Sequence, residues 1–381
     1  MNLKQMIKNE CEKDNQLAAK LSKIAGYEKV NGFYKFINTP EKEMDNLGGL
    51  INIVKSLFPD NEEQLLSDYF LSLDPNKKCA RQSVEYADLN QWNALTDKII
   101  LNLCNSKNAT SKEWGKTYNI HRKLTENKIS LTEAIRETGK CKTAEMIFFS
   151  NAMLMYEYLK IGEFGLMKST AKLLDFQGLS DGYIKGLYTS RVSLLKANIS
   201  FNENNLIEAR KYCLYATETT NVDRICFFAY LTIGNSFIFE NFEEAKRSYI
   251  NGAKYASNTI HKEMLDGALC FLASFWNKEN LWVNYESQHT KYLQLRAYHH
   301  IRKGEVDKAN EILNELSIRE QDENEMGFYF YYRGLISVDK SDFYKSIRCF
   351  KKSDDKYSVQ LPLIELKKMG ADTELLSLIS I

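Results

Sequence analysis

Three stretches of the second half of this chain can be laid on one another, and their agreement restricts the fold more than any other feature. Aligning "ANISFNENNLIEARKYCLYA", "AYHHIRKGEVDKANEILNEL" and "GLISVDKSDFYKSIRCFKKS" puts Ala197, Ala297 and Gly334 in register, followed twelve residues later by Ala209, Ala309 and Ser346. Four further on come Cys213, Leu313 and Phe350, and three beyond those come Ala216, Leu316 and Ser353. A fourth copy, "GNSFIFENFEEAKRSYINGA", fits with one residue fewer between Gly234 and Ala245. Small residues at fixed helical offsets let two antiparallel helices approach closely, and a larger residue then fills the space between successive pairs.

This is the tetratricopeptide (TPR) pattern. The separations keep a period: Ala209 to Ala245 is 36, Ala309 to Ser346 is 37, and Ala245 to Ala309 is 64, room for a degenerate repeat around "LCFLASFWNKENLWVNYES". The expected fold is all-α, an N-terminal helix-turn-helix followed by a TPR-like right-handed helical solenoid, and the repeat code is clear from residue 142 and faint over 60–141. Strand-like alternation is almost absent, whereas apolar residues at i, i+3 and i+4 recur from "EEQLLSDYFLSL" to "LPLIELKKM". Only 4 Pro and 18 Gly punctuate 381 residues. All four prolines are expected at helix starts, with Thr39 capping before Pro40 and Asp74 before Pro75.

The amino terminus has another character. Within residues 1–38 seven lysines (Lys4, Lys8, Lys13, Lys20, Lys23, Lys29, Lys35) face four acids, a local excess of +3 in a chain whose net charge is +1. A nucleic-acid role therefore has to be local. In "LSKIAGY" Ser22 and Gly26 have the spacing of a helix-turn-helix, where a small residue lets the helices approach and a Gly four positions on permits the turn. Leu17, Leu21 and Ile24 are the expected buried stripe, with Phe33 and Phe36 anchoring the second helix. Its polar face then offers Lys29, Asn31, Tyr34 and Lys35 as DNA-binding candidates, donors suited to phosphates and base edges. Gly32 stands where the common motif has a core residue, so the second helix is expected to begin late or bulge at "VNG". The same unit also fits a plain cap on the helical array.

Inside the array, "NVDRICFFAYLTIGNSFIFE" is apolar on nearly every face and reads as a buried helix interrupted by Arg224 and Asn235. These lie eleven residues apart, about three turns, and share a side. A buried guanidinium calls for a carboxylate, either internal or a ligand's. Asn198 and Asn202, at i and i+4, also share a face and can grip a peptide backbone through donor and acceptor together, or else cap and bridge repeats. Asp354 and Asp355 in "KKSDDKY" suit either a basic ligand residue or a loop and helix cap.

Several classes are excluded. The eight cysteines are scattered with no CxxC pair, as small apolar residues of a reducing compartment would be. "WGKT" has the tail of a phosphate-binding loop but Thr110 where the first Gly belongs. His121, His261, His289, His299 and His300 lack metal-ligand spacing, and the adjacent pair His299 and His300 is expected on the surface. No enzyme motif, metal or cofactor is implied. "MNLKQMIKNECEKD" lacks the apolar run of a signal peptide, and nothing approaches a membrane span, so the expectation is a cytoplasmic protein without a membrane partner.

A helix-turn-helix joined to TPR repeats resembles the peptide-sensing regulators of Gram-positive bacteria and their phages, the RRNPP type. The strings "LINIVKSLFPDNEEQLLSDYFLSLDPNKKCARQSVEYAD", "FAYLTIGNS", "ALCFL" and "CFKKSDDKYSVQLPLIELKKMG" resemble the AimR family, the arbitrium receptors of temperate phages, and the likeness runs through the whole chain. It implies a homodimeric transcription activator that binds promoter DNA and favours lysis until a short secreted peptide, of a six-residue type, fills the groove and lysogeny follows. By position it places the peptide site on Asn198, Asn202, Arg224 and Asn235, with Asn324 and Asp355, the last facing a peptide arginine. It also implies dimerisation through Leu375, Leu376, Leu378 and Ile379 of the terminal helix, which otherwise caps the last repeat. The expected domains are 1–58 for the helix-turn-helix and connecting helices, 59–370 for the peptide-sensing solenoid and 371–381 for the capping or dimerisation helix. The rival reading is a TPR adaptor that binds a protein tail and no DNA.

Overall fold

Asparagine and aspartate set the helix starts. Asn2, Asn46, Asn108, Asn241, Asn258, Asp322 and Asp339 each cap a helix by accepting from a backbone N–H of its first turn, and Asp322 and Glu325 close a reciprocal capping box. The computed structural model describes residues 2–14, 16–372, 374 and 376. Among them there is no strand, as expected from the sequence.

The helices are α1 (Leu3–Lys13), α2 (Leu17–Ile24), α3 (Val30–Asn38), α4 (Leu47–Leu57), α5 (Glu62–Ser72), α6 (Lys78–Leu89) and α7 (Asn93–Cys104). They continue with α8 (Ala109–Thr125), α9 (Leu131–Thr138), α10 (Ala144–Lys160), α11 (Phe164–Ala171), α12 (Tyr183–Asn202), α13 (Leu206–Glu218) and α14 (Asp223–Ser236). The last are α15 (Phe242–Ala253), α16 (Thr259–Phe275), α17 (Thr290–Arg302), α18 (Val306–Ser317), α19 (Glu323–Ser337), α20 (Lys340–Lys352) and α21 (Gln360–Lys368). The chain forms two compact units: Met1–Glu157, Ser169–Val192 and Thr217–Ile225 make the first, and Tyr158–Lys168, Ser193–Ala216 and Cys226–Ile381 the second.

In the first unit, α2, a turn at Gly26 (φ +80°) and α3 form the helix-turn-helix. Ser22 is buried at the approach, and Leu21, Phe33 and Phe36 fill the core between the helices. Leu17 is only half-buried and Ile24 is exposed, so the predicted stripe is corrected to Ala18, Leu21, Ser22 and Ala25. Asn46 fastens this turn to α4: its side chain accepts from Gly49 N at 3.1 Å and donates to the Ala25 carbonyl at 3.2 Å. A Cβ on Gly49 would stand 2.7 Å from the Ala25 Cα, so only Gly fits the contact. Lys4, counted above among the free charges, is buried, with Nζ donating to the carbonyls of Thr39, Pro40 and Lys42 at 2.7, 2.8 and 2.6 Å. Burial lowers its pKa, and the carbonyls hold the ammonium at the end of α3. Two of the prolines do not start helices: Thr39 follows α3 as its C-cap with Pro40 in a turn, and Pro75 lies in a turn ahead of α6.

The second unit carries the repeat code as packing. Ala197, Ala209, Cys213, Ala216, Ala245, Ala297, Ala309 and Leu316 are fully buried. A Cβ at Gly327 would come within 2.5 Å of the Phe350 ring, and one at Gly334 within 2.8 Å of Phe343, so each Gly admits the large residue of the facing helix. The degenerate repeat keeps its first helix, α16, but residues 276–289 are irregular where the second would be. Asn280 ties that segment back by donating to the Cys270 carbonyl and Ser274 Oγ, both at 2.9 Å. His299 and His300 are buried rather than on the surface, because α17 packs between neighbours there, and Nδ1 of His300 meets Glu305 at 2.7 Å. No helix of the described residues is long and apolar enough to cross a membrane, and no His, Cys, Asp and Glu group among them could hold a metal ion.

Candidate functional site

Within the second unit α14, α16, α17, α19 and the segment after α20 surround a cavity of about 330 Å³. Its walls are largely aromatic and aliphatic, with Phe239, Phe271, Phe328 and Tyr332 among them, and its polar groups are few, with Asn235, Lys291, Gln294, Asp355, Tyr357 and Ser358 among the lining residues. A concave, mostly apolar space with a small set of convergent polar groups is the usual form of a ligand site.

The polar groups are held from behind. Asn235 accepts from the Tyr249 hydroxyl at 2.8 Å through its side chain, and its carbonyl accepts from the Tyr357 hydroxyl at 2.5 Å. Burial pushes the Tyr357 phenol well above its ordinary range, which keeps it protonated and donating. Asp355 accepts from Asn324 Nδ2 at 2.7 Å and from Ser358 N at 2.8 Å, using one oxygen for each. The residue before it, Asp354, is left-handed (φ +53°), and its carbonyl accepts from the Asn202 side chain. So Asn235 and Asp355 stand in the wall, while Asn202 and Asn324 hold the segment that carries Asp355. Asn198 donates to the Leu194 carbonyl of its own helix at 2.9 Å. Lys291 brings an ammonium to the same wall, where it lies over Gly267. The cavity therefore presents one carboxylate and one ammonium among amides and rings, a set that matches a short chain with a basic side chain and a free carboxylate.

Arg224 lies in the first unit, half-buried at the start of α14. Burial lowers its pKa, Tyr156 opposes that, and Arg191 adds to it. The buried carboxylates of this region go chiefly to Arg191, which sequence reasoning passed over. Arg191 Nε and Nη2 donate to the two oxygens of Glu85, each at 3.0 Å, and Nη2 also reaches Asp88 at 2.6 Å. Tyr118 donates to Glu85 at 2.5 Å, and His121 Nε2 lies 3.4 Å from Asp88. Burial of Asp88 favours its neutral form, but His121 and Arg191 outweigh that and hold it below the usual carboxylate range. The available signal was Glu85 and Asp88 at i, i+3 on a helix otherwise rich in small and apolar residues. Their partner is 103 and 106 residues away, beyond any local pattern.

On the helix-turn-helix, Lys29 is the N-cap of α3, and Lys29, Asn31, Tyr34 and Lys35 are all exposed. The irregularity expected at "VNG" is resolved by Tyr27: α3 starts at Val30, and a Cβ on Gly32 would sit 2.8 Å from the Tyr27 ring. Tyr27 thus occupies the space that a core side chain would fill. Of the dimerisation candidates, Leu375, Leu378 and Ile379 lie outside the described residues. Leu376 is buried in the cluster that includes Tyr331, Leu361 and Leu366.

A helix-turn-helix and a cavity among paired helices are parts that a transcriptional regulator has. Comparison with known proteins narrows the class. The profile described as "AimR transcriptional regulator-like" matches residues 62–368. The AimR transcriptional regulator of Bacillus phage phi3T is 71% identical over 378 residues, 99% of this chain and 100% of that protein. The solved structure of selenomethionine phAimR matches 100% of both chains with a TM-score of 0.93 and 71% identity. A structure described as phAimR-Ligand matches 87% of this chain and 100% of that one, with a TM-score of 0.75 and 69% identity. The chain belongs to the AimR transcriptional regulator family.

Proposed function

We propose that this protein is a peptide-responsive DNA-binding activator that governs a phage's choice between lysis and lysogeny. Its second unit takes a short peptide of the six-residue type, its helix-turn-helix binds promoter DNA, and it works as a homodimer in the cytoplasm of the bacterial host. The observation that carries this reading is the cavity: Asn235 and Asp355 lie in its wall, with Asn202 and Asn324 directly behind. A structure of a close relative described as ligand-bound supports it. Asp355 is the group suited to a basic peptide side chain, Lys291 to a terminal carboxylate, and Asn235 to the backbone between. Asn198 completes the proposed peptide set within this unit, and Arg224 is a separate candidate tested by substitution. Lys29 and Lys35 are suited to phosphates, Asn31 and Tyr34 to base edges, and Leu375, Leu378 and Ile379 to the dimer contact, whereas Leu376, buried in the chain's own core, is corrected to a packing residue.

The test is calorimetric titration with six-residue peptides ending Arg-Gly-Ala, on wild type and on Arg224→Ala and Asp355→Asn. Binding lost in the variants supports the reading. No heat from any six-residue peptide overturns it and leaves the TPR-adaptor alternative. Promoter binding is read in parallel against salt: a phosphate contact such as Lys35, changed to Ala, lowers the salt slope by about one, whereas Asn31→Ala narrows the difference between specific and random duplex. No duplex affinity at any salt sinks the DNA half of the proposal.

A further inference from the structure

The first unit holds a separate, partly open cavity of about 230 Å³, lined by α6, α8, α10 and the chain leading into α12. Its polar wall consists of Lys78, Arg81 and Gln82 from α6, Thr110 and Trp114 from α8, and Glu145 from α10. Trp114 is the informative residue. It is 3% exposed, and its Nε1–H makes no hydrogen bond among the described residues. A buried donor left unmade costs about 1–3 kcal/mol, so an acceptor belongs beside it. The ring cannot easily turn away to find one, because it is stacked with Tyr118 and Tyr188 at 6.0 and 6.4 Å between centroids.

The charges specify the ligand further. Arg81 uses Nη1 on Ser111 Oγ at 3.0 Å and keeps other donors. Glu145 attracts it, yet the two close no ion pair within 4.0 Å. Two cations, Lys78 exposed and Arg81 half-buried, thus line a small, partly open space together with an indole N–H and one carboxylate. An anion alone would satisfy the donors and meet Glu145 with like charge; a cation alone would do the reverse. Only a ligand carrying both charges answers both sides. The space equals about eight water molecules at ~30 Å³ each, enough for one amino acid.

We propose that this cavity binds a free α-amino acid with a small side chain, its carboxylate on Arg81 and Trp114 Nε1–H and its ammonium on Glu145. Gln82 and Thr110 supply further donors to the carboxylate, and Ile184 gives the side chain an apolar wall. The proposal does not depend on the peptide reading of the second unit.

The test uses the full-length protein with each free L-amino acid, by thermal shift and then calorimetry, with acetate, methylamine and inorganic phosphate as comparisons. The expected result is binding of one or a few small amino acids and a downfield shift of the Trp114 indole Nε1–H resonance. N-acetylated and carboxamide forms of the same amino acid fail to bind, and Glu145→Gln and Trp114→Phe each weaken binding at least tenfold. Glu145→Gln is near-isosteric; should the smaller ring of Trp114→Phe disturb the aromatic stack, Glu145→Gln decides alone. The proposal is overturned if no amino acid binds at 10 mM, as when only water fills the space, if acetate or phosphate binds as well as the best amino acid, or if Glu145→Gln leaves affinity unchanged.

Discussion

Replacing Arg191 by Met should be the most damaging single change in the first unit that leaves side-chain volume nearly constant. The guanidinium is 3% exposed, its carboxylate partners Glu85 and Asp88 are 0% and 9% exposed, and three hydrogen bonds of 3.0, 3.0 and 2.6 Å join them. Removing one member of a buried ion pair typically costs about 3–5 kcal/mol, because the other charge stays buried without compensation. Here two carboxylates lose their cation, but Asp88 keeps His121 and Glu85 keeps the Tyr118 hydroxyl. That places the loss in the middle of the range, about 4 kcal/mol, or roughly three decades in an opening equilibrium. Because two units need not unfold together, the assay should be native-state hydrogen exchange read on peptides from α6, α8 and α12, where opening of this unit is seen directly. The double variant Arg191→Met/Glu85→Gln removes one of the two stranded charges and should recover about 1–3 kcal/mol relative to the sum of the single changes. A cost below about 1 kcal/mol for Arg191→Met, or strict additivity in the double variant, would refute the view that these buried charges are coupled.

Gly49→Ala forces a methyl against the backbone of Ala25 and should destabilise the helix-turn-helix by about 1–3 kcal/mol, seen as faster exchange in α2 and α3 and refuted by unchanged protection. Lys4→Met leaves three carbonyls at the end of α3 without their donor and should cost about 1–3 kcal/mol in the same measurement, with no loss of helix content at room temperature. Burial lowers the pKa of His299, with Lys303 and His300 acting in the same sense. Its contribution to stability is therefore fully present above the unfolded value of about 6.5 and is lost as pH falls towards the lower folded value. Thermal unfolding between pH 7.5 and 5 should show a decline that His299→Gln reduces; an identical slope in the variant would mean that another group is responsible.

What could be read from the sequence divides by distance along the chain. The helices, the Gly26 turn and the small-residue code are local or repeating, so Ala197, Ala209 and Gly334 announced their packing before any coordinates. The two caps named from the sequence failed, since Thr39 ends α3 and Lys77, not Asp74, precedes α6. The failures are contacts that only tertiary structure can make. Lys4 looked like a free charge because its acceptors lie 35 to 38 residues on, and Ile24 satisfied the stripe but falls on the solvent side of α2. His299 and His300 were expected on the surface because adjacent helical residues point about 100° apart, though both are buried. Pro40 and Pro75 marked turns between helices rather than first turns, a distinction that depends on what the flanking backbone can pack against. Among the groove residues, Asn235 and Asp355 were legible as polar interruptions of apolar or repetitive segments. Lys291, Gln294 and Tyr357 were not, because nothing in their local sequence sets them apart from a solvated face.

The groove's architecture makes one segment decisive. Residues 354–358 are fastened to three helices at once: Asn202 of α12 holds the Asp354 carbonyl, Asn324 of α19 holds the Asp355 carboxylate, and Tyr357 donates to the Asn235 carbonyl of α14. Both Asp355 oxygens already accept, one from Asn324 and one from Ser358 N. A carboxylate offers about four lone-pair sites, so an incoming guanidinium can share these oxygens without displacing either bond. Such a ligand would tighten the existing network and draw three helices of the repeat array towards one arrangement. A ligand lacking a basic group would occupy the aromatic walls and leave that network as it is. The same reasoning gives Asn324→Ala a signature different from Asp355→Asn: the first frees the carboxylate and loosens the segment, weakening a basic peptide modestly, whereas the second removes the charge and should abolish discrimination between a peptide with Arg and its Gln counterpart.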